Sequence, residues 1–452
     1  MDIEGLYLRL PWHLQGLILN FAGAVIHRRR YSGHYGTVEK EVDKRLDFSK
    51  NEIHKYRVSC LKKHFQSARS SPFWANRFLK FKVNIGSEDP FKELEKLPVL
   101  TKLEVKEHAS EIVNYRAKSR SIKRHTSGST GSGLIFWESR QMEQVTWATW
   151  WRFRKMHGIS RHDWCAYFGG RSIVSVTREQ PPFWRNNFFG KQIIFSGYHI
   201  NSATAEAYLT KIKKTGVSWI HGYPSIISLL AGYKKELNIS LPRLKIITTG
   251  AENLLESQKR LISEAFQVPL AQHYGLAEGV ANISMWPSGS MHVDEDYACV
   301  EFLPLEGGNE KQHKIVGTNW HNHSFPLFRY DTGDIVSLAD SKEVVQSCRG
   351  RKVEFIDGRR EDFVVLPNGT KIGRMDHVFK DLINIKEAQI RQKDKSRITI
   401  LVVPGIRYSQ KDERLLVEQI KKRLGDTIGL EVKYMSSIKR TKSGKLRLVV
   451  QE

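Results

Sequence analysis

The chain has 452 residues and carries 72 Lys+Arg against 48 Asp+Glu, a formal net charge of +24. Its 40% hydrophobic and 27% charged residues are enough to bury a core, which excludes a chain disordered throughout. Four cysteines over this length make no disulfide framework and indicate a reducing compartment. Ordinary Gly and Pro contents and the absence of a 20–50-residue period exclude collagen-like, low-complexity, solenoid and propeller classes. At roughly 100–200 residues per domain, two or three domains are expected.

The stretch Leu14 to Ile26 is apolar but is broken by Gln15, Gly16, Asn20 and Gly23. It is too short for a span needing about 20 apolar residues. Its basic run, Arg28 to Arg30, follows instead of preceding it, so it does not read as a cleaved signal peptide. A core or interface helix is expected. The alternative is a helix lying on a membrane surface, with Arg28 to Arg30 facing anionic head groups. Elsewhere Lys and Arg are scattered, without zinc-finger spacing, an RNA-recognition signature or a helix-turn-helix. Charge alone therefore predicts a weak pull toward polyanions and no specific nucleic acid.

Residues 37–118 read as helical and linker-rich. Val42 to Ala68 has helix-like spacing, Pro90 to Leu94 opens a short helix, and Leu97 to Lys102 is an extended connector. Thr101 and Glu104 have capping-box spacing. Strand and helix then alternate: strand Trp164 to Phe168, helix Ala203 to Lys214, strand end Trp219–Ile220, helix Ser225 to Leu237 capped by Ser225, strand Leu244 to Thr249, and helix Leu254 to Phe266. This order predicts a parallel α/β sheet with ligands at the carboxyl ends of its strands. Val300 to Leu303, Lys314 to Thr318 and Ile335 to Leu338 form a β-rich stretch. Beyond Gly358 a smaller α+β unit holds strand Ile398 to Val403, helix Asp412 to Leu424 and strand Leu430 to Tyr434. The expected domains are 1–360 and 361–452, with the boundary near Arg360.

Five motifs carry chemistry. Thr126-Ser127-Gly128-Ser129-Thr130-Gly131-Ser132-Gly133 places hydroxyls and glycines where backbone N–H groups can approach a phosphate. It lacks the Gly-Lys-Ser/Thr of a Walker loop, and composition alone also fits a flexible Ser/Gly loop. Gln272-His273-Tyr274-Gly275-Leu276-Ala277-Glu278 sets an aromatic, a Gly and an acid at a strand end, as Gly250-Ala251-Glu252 sets an acid at another. Arg329-Tyr330-Asp331-Thr332-Gly333-Asp334 puts acids beside a Gly turn. Gly358-Arg359-Arg360-Glu361-Asp362 lies at the boundary, and Lys439 to Lys445 near the C-terminus.

The order and content of these motifs resemble the adenylate-forming superfamily of acyl-CoA synthetases, adenylation domains and luciferases. The length and the Leu97-Pro98…Thr101-Lys102 connector are similar to the phenylacetate–CoA ligase family, and more narrowly to its CapK-type members linked to polysaccharide biosynthesis. The likeness runs from about Val42 to Leu448. It implies an α/β fold: a large N-terminal adenylate-forming domain with parallel-sheet and β-rich subdomains, and a small mobile C-terminal α+β domain. It implies a carboxylate attacking the α-phosphate of ATP, and a thiol or amine then displacing AMP, with CoA, an amino acid or an amino sugar as acceptor.

The same resemblance implies roles. Ser127, Gly128, Ser129, Thr130 and Gly131 would bind phosphate, although Ser132 stands where a Lys is usual. Glu278 would hold Mg²⁺, a hard cation suited to carboxylate, with Ala277 replacing the usual hydroxyl residue. Tyr274 and Gly275 would meet adenine, and Gly250, Ala251 and Glu252 the adenine and acyl pocket. Asp334 would accept both ribose hydroxyls, Arg359 would make a second ribose or phosphate contact, and Glu361 would be the hinge. Lys445 would bridge carboxylate and α-phosphate.

Three further expectations come from the residues. Trp147, Trp150, Trp151 and Phe153 at helical spacing belong to a core. His221 and Tyr223, at a strand-to-helix turn, would line the acyl site, where aromatics suit an aryl or short apolar acid, while Arg171 would instead bind a second carboxylate or a hydroxyl-rich acid. Cys299 and Cys348, with His292, His321 and His323 nearby but no C-x-x-C, read as buried thiols and surface histidines, not a zinc site. The expected location is cytoplasmic, with Leu14 to Arg30 offering a contact to the inner membrane face. A competing reading, motivated by Ser132, Ala277 and that segment, is a catalytically weakened, basic, membrane-associated assembly factor; Glu278, Asp334 and Lys445 argue against it.

Overall fold

The structure, a computed structural model, describes residues 3–452 apart from 118–120, 126–133, 170–172, 176, 243, 307–309, 341–342, 360–363, 368–370, 373–374, 380–381, 383, 427 and 442–445. The chain divides into two units. One comprises 1–26, 161–272 and 358–452, and the other 27–160 and 273–357.

In the first unit, strands Cys165–Phe168, Trp219–Gly222 and Ile246–Gly250 run parallel, with Ala166 opposite Ile220 and Ile220 opposite Ile247. Parallel strands covered on both faces need continuous apolar runs, and every residue of Ile246–Gly250 is buried. Helices Ala205–Thr215, Pro224–Leu237 and Glu256–Phe266 contribute Tyr208, Leu209, Ile227, Leu230 and Ile262 to the core around Phe168, Phe195 and Ile247. Gly216 (φ 58°) and Asn238 (φ 49°) adopt the left-handed conformation that stops a helix and returns the chain to the sheet. Ser225 is not the expected cap. Tyr223 holds that position because Pro224, with its fixed φ, starts the helix one residue earlier.

Residues beyond 363 in this unit form their own four-stranded sheet, in the order Gly429–Tyr434, Arg397–Pro404, Ile385–Asp394, Val449–Gln451. Helix Gln410–Leu424 packs Leu416 and Ile420 against Ile390, Ile398 and Ile400. Its start is fixed by a capping box between Ser409 and Asp412.

The second unit is mixed. Strands Cys299–Pro304, Gln312–Thr318 and Tyr330–Leu338 pair antiparallel, as do Asn282–Met285 and Met291–Asp294. Helices Lys50–Ala68 and Pro72–Lys80 supply Phe65, Trp74 and Phe78 to a core with Phe325 and Phe328. The Thr101/Glu104 capping box forms as expected. The connector before it is extended: Leu100 N–H donates to Arg329 O at 2.8 Å and its carbonyl accepts from Asp331 N–H at 2.9 Å. In helix Arg140–Met156, Trp151 and Phe153 are buried as a core assignment requires, whereas Trp147 and Trp150 are half-buried.

Two expectations fail. The first concerns helix Trp12–Tyr31, expected to be a core or interface helix, whose apolar side chains lie outside the core. Gln15 and Gly23 are its buried residues, while Leu14, Leu17, Ile18, Phe21 and Val25 are exposed. Polar groups bind it to the rest of the unit. Gln15 Oε1 accepts from Arg185, and Asn20 Nδ2 donates to Asn186 O at 2.9 Å. The second concerns the histidines, since His292 and His321 are buried. His292 bonds Gly350 O and His321 bonds Asp296 O, while burial pushes the Cys299 thiol up to about 12. The thiol therefore stays protonated at neutral pH. Among the described residues no three His, Cys, Asp or Glu side chains converge on a metal site, and no helix is long and apolar enough to cross a membrane.

Candidate active site

In the first unit His221, Tyr223 and Gly250-Ala251-Glu252 lie at the carboxyl ends of the parallel strands, where such sheets bind ligands. Strand Trp219–Gly222 ends beside Cys165–Phe168. The approach is close: a Cβ on Gly222 would lie 2.6 Å from Phe168 O. His221 stacks on Tyr167 with ring centroids 5.5 Å apart, and its Nδ1 is 2.8 Å from Thr248 Oγ1. His221 and Tyr223 thus stand beside the strand that leads into Gly250-Ala251-Glu252. Ala251 takes φ 65°, a left-handed turn that costs a non-glycine residue about 1 kcal/mol. The turn aims Glu252 back across the strand ends.

Glu252 is a junction. Its Oε2 accepts from Ser225 N–H at 3.2 Å and its Oε1 from Leu446 N–H at 2.8 Å. One carboxylate thus ties the start of helix Pro224–Leu237 to the residue after Lys445. Arg440 adds a second tie, donating to Ser225 Oγ at 2.7 Å and pairing with the buried Glu387. Lys386 pairs with Glu236 at 2.8 Å on the same helix. Gly358 (φ 94°) passes the same turn, where a Cβ would meet Asn253 Nδ2 at 2.5 Å. Motif reading does not single out Arg440 and Glu387, and it takes Ser225 only as a helix cap beside the acyl-site turn. The signal for Arg440 was present, since it lies within the Lys439 to Lys445 motif, but its partner is 53 residues away in sequence.

In the second unit, strand Leu270–Gly275 ends in Tyr274 and Gly275. Tyr274 Oη donates to Asp334 Oδ2 at 2.8 Å. Burial, and next the Asp334 carboxylate, push the phenol well above its ordinary value, so it remains a donor. Asp334 is held by its own backbone: its N–H donates to Thr332 Oγ1 at 3.0 Å, and Thr332 Oγ1 donates to Ile315 O at 2.9 Å. Gly333 (φ 75°) makes the turn between them. Arg329, at the head of this motif, is structural, binding Glu301 at 2.9 Å and Leu97 O at 2.7 Å.

Glu278 is 7% exposed, and Tyr330 Oη lies 3.5 Å from its Oε1. Asn319 Nδ2 donates to Glu278 O at 3.0 Å and fixes the turn. Gly279 makes that turn at φ 70°, in the left-handed region that favours glycine. A buried carboxylate is a hard oxygen donor. It fits Mg²⁺ bound by one carboxylate and by phosphate oxygens of a nucleotide, the usual arrangement for that ion.

Ser127, Gly128, Ser129, Thr130, Gly131, Arg171, Glu361 and Lys445 lie outside the described residues, and of Arg359 only the backbone is described. The strands flanking 126–133, Ser121–His125 and Ile135–Ser139, pair antiparallel with His125 opposite Ile135. Arg124 on the first flank donates to Glu138 at 2.6 Å and to the buried Glu143 at 3.0 Å, holding that strand in place.

Comparison with known proteins adds to this geometry. Residues 364–452 match the family model described as the CapK C-terminal domain. Over 98% of each chain the protein is 24% identical to Protein CapK of Staphylococcus aureus. It is also similar to 2-hydroxyisobutyryl-CoA ligase in the postadenylation state in complex with R3-HIB-AMP, with a TM-score of 0.67, 17% identity, and coverage of 90% of this chain and 91% of that one. The fold is that of an adenylate-forming CoA ligase. The same ligase in complex with 2-HIB-AMP and CoA, in the thioesterification state, matches at a TM-score of 0.54, with 17% identity and the same coverage.

Proposed function

We propose that this protein is an ATP-dependent carboxylate-activating ligase of the phenylacetate–CoA ligase type, in the CapK-like branch, acting in surface-polysaccharide biosynthesis. The observation that carries the reading is the ligase fold over nine-tenths of the chain; among the described motif residues, Tyr274 and Gly275 end a strand, and Ala251 and Gly333 lie in tight turns. In the first half-reaction a carboxylate oxygen of the acid bonds to the α-phosphorus of ATP. The bond from that phosphorus to the bridging oxygen breaks, and pyrophosphate leaves. In the second half-reaction a thiolate or amine attacks the acyl carbon and AMP leaves.

The residues divide this work by chemistry. The hydroxyls and amides of 126–133 donate to phosphate oxygens. Asp334 accepts the ribose hydroxyls. Tyr274, pinned by that bond, offers its ring face to adenine, and Arg359 adds a cation at the sugar or phosphate. Glu278 would hold Mg²⁺, which would supply positive charge toward the phosphate oxygens. Lys445 bridges the carboxylate and the α-phosphate, with Glu361 as the hinge of the small domain and Glu252 holding the chain next to the lysine. His221 and Tyr223 line the acyl site, and Arg171 selects among acids. The relation to CapK supports the polysaccharide context, and CoA or an amine serves as acceptor.

ATP–pyrophosphate exchange with Mg²⁺, run over pooled aryl, fatty, amino and sugar acids, tests the reading. The expected result is exchange that depends on one pool and is abolished by chelating the metal. Exchange equal with and without every pool would contradict it.

A further inference from the structure

We propose that the protein docks on an anionic lipid bilayer through the outward face of helix Trp12–Tyr31 and the adjacent hairpin tip at Phe188–Phe189. This goes beyond the ligase chemistry and does not depend on it.

Leu14, Leu17, Ile18, Phe21, Val25 and Arg28 fall within an arc of about 100° at 100° per residue, so they form one stripe. In a helix packed on a protein this stripe faces the core. Here it faces outward, with Leu17 68% and Phe21 74% exposed, and the polar side faces in. The inversion is built in, not loose. Gln15 Nε2 donates to Leu10 O at 3.0 Å, and Gln15 Oε1 accepts from Arg185 Nε at 3.1 Å. A Cβ on Gly23 would lie 2.4 Å from Asn187 Oδ1, so the helix sits directly against the hairpin strand Trp184–Asn187. Asn20 Oδ1 accepts from Phe188 N–H at 2.9 Å, which fixes the hairpin tip beside the helix. Phe188 and Phe189 there are 57% and 51% exposed. Two elements thus present apolar side chains from one rigid, hydrogen-bonded base.

Charge selects the occupant. Residues 5–38 contain Arg9, Arg28, Arg29 and Arg30 and no Asp or Glu, and residues 184–195 contain Arg185 and Lys191 and no acid. Arg29 and Arg30 are turned to the buried Glu143, whereas Arg28 lies exposed at the end of the apolar stripe. A second copy would bring like charges together on a chain of net charge +24. An anionic lipid surface takes both features, apolar residues entering the acyl boundary and basic residues at the phosphates. No described helix spans a bilayer, so the contact is a one-sided one.

Co-sedimentation of the full chain with vesicles tests this, using phosphatidylcholine alone or with one-third phosphatidylglycerol. Binding to the anionic vesicles, reduced by salt, is the expected result. Leu17→Glu with Phe21→Glu should lower partitioning roughly a hundredfold, and Phe188→Ser with Phe189→Ser roughly tenfold. Arg28→Glu should lower it roughly tenfold. All these side chains are exposed, so circular dichroism should be unchanged. Absence of wild-type binding at low salt would overturn the proposal. So would equal binding by the Leu17/Phe21 variant. A solution dimer that this variant dissociates, with no vesicle binding, would assign the face to a second copy instead.

Discussion

Replacing Lys445 with Ala should reduce acyl-adenylate formation by roughly a hundredfold or more, the scale for losing a cation that stabilises charge only in the transition state. Transfer of the acyl group from a supplied acyl-adenylate to the acceptor should survive, because that half-reaction does not build charge on the α-phosphate. Glu252→Gln should give a weaker form of the same defect. Its carboxylate accepts from Ser225 N–H and Leu446 N–H together. A Gln amide offers only one oxygen, and its NH₂ would oppose the other donor. Loss of one such charge-assisted bond is worth about 1.5–3 kcal/mol, so a drop of roughly tenfold or more in adenylation is expected. The measurement is single-turnover kinetics of the two half-reactions. Equal loss of both in Lys445→Ala, or a Glu252→Gln enzyme impaired only in acyl transfer, would remove the assigned roles.

Asp334→Ala should weaken ATP binding by roughly a hundredfold, from two hydrogen bonds to a charged acceptor at about 1.5 kcal/mol each. The sharper prediction concerns discrimination. Wild-type protein should prefer ATP over 2′-deoxy-ATP, and the Ala variant should bind the two alike, because the group that reads the hydroxyl is gone. Tyr274→Phe removes the donor at 2.8 Å from Asp334 Oδ2 but keeps the ring, so it should cost less than Asp334→Ala and preserve the discrimination. Isothermal titration with both nucleotides measures this cycle. Retained discrimination in Asp334→Ala would place the ribose contact elsewhere.

Much of this was legible because local patterns and motif positions agree. Ile246–Gly250 reads as a buried strand from its apolar run, and Gly250-Ala251 as the turn that ends it. Thr101 and Glu104 declare their capping box. The Tyr-Asp-Thr-Gly-Asp order encodes its own geometry, since Thr332 and Gly333 are what hold Asp334 in place. What was not legible depends on partners far along the chain. Nothing near Leu17 or Phe21 says that their helix will be gripped by its polar side, because the grip comes from Arg185 to Phe188. Arg440 sits in a visible motif, but its partner Glu387 lies on another strand. The hairpin Trp184–Asn187 and Gln192–Phe195 has too little alternation to announce itself. His292 and His321 looked like surface residues by type, and their burial follows from backbone carbonyls that accept their ring N–H groups.

The most direct test of the central claim is isotope transfer. The acid active in exchange is labelled with ¹⁸O in its carboxylate, the reaction is run to completion with ATP, Mg²⁺ and acceptor, and the products are weighed by mass spectrometry. Attack of a carboxylate oxygen on the α-phosphorus predicts one labelled oxygen in AMP and none in pyrophosphate. Label in inorganic phosphate, with ADP in place of AMP, would mean that the acid is activated as an acyl phosphate and would contradict the adenylate mechanism.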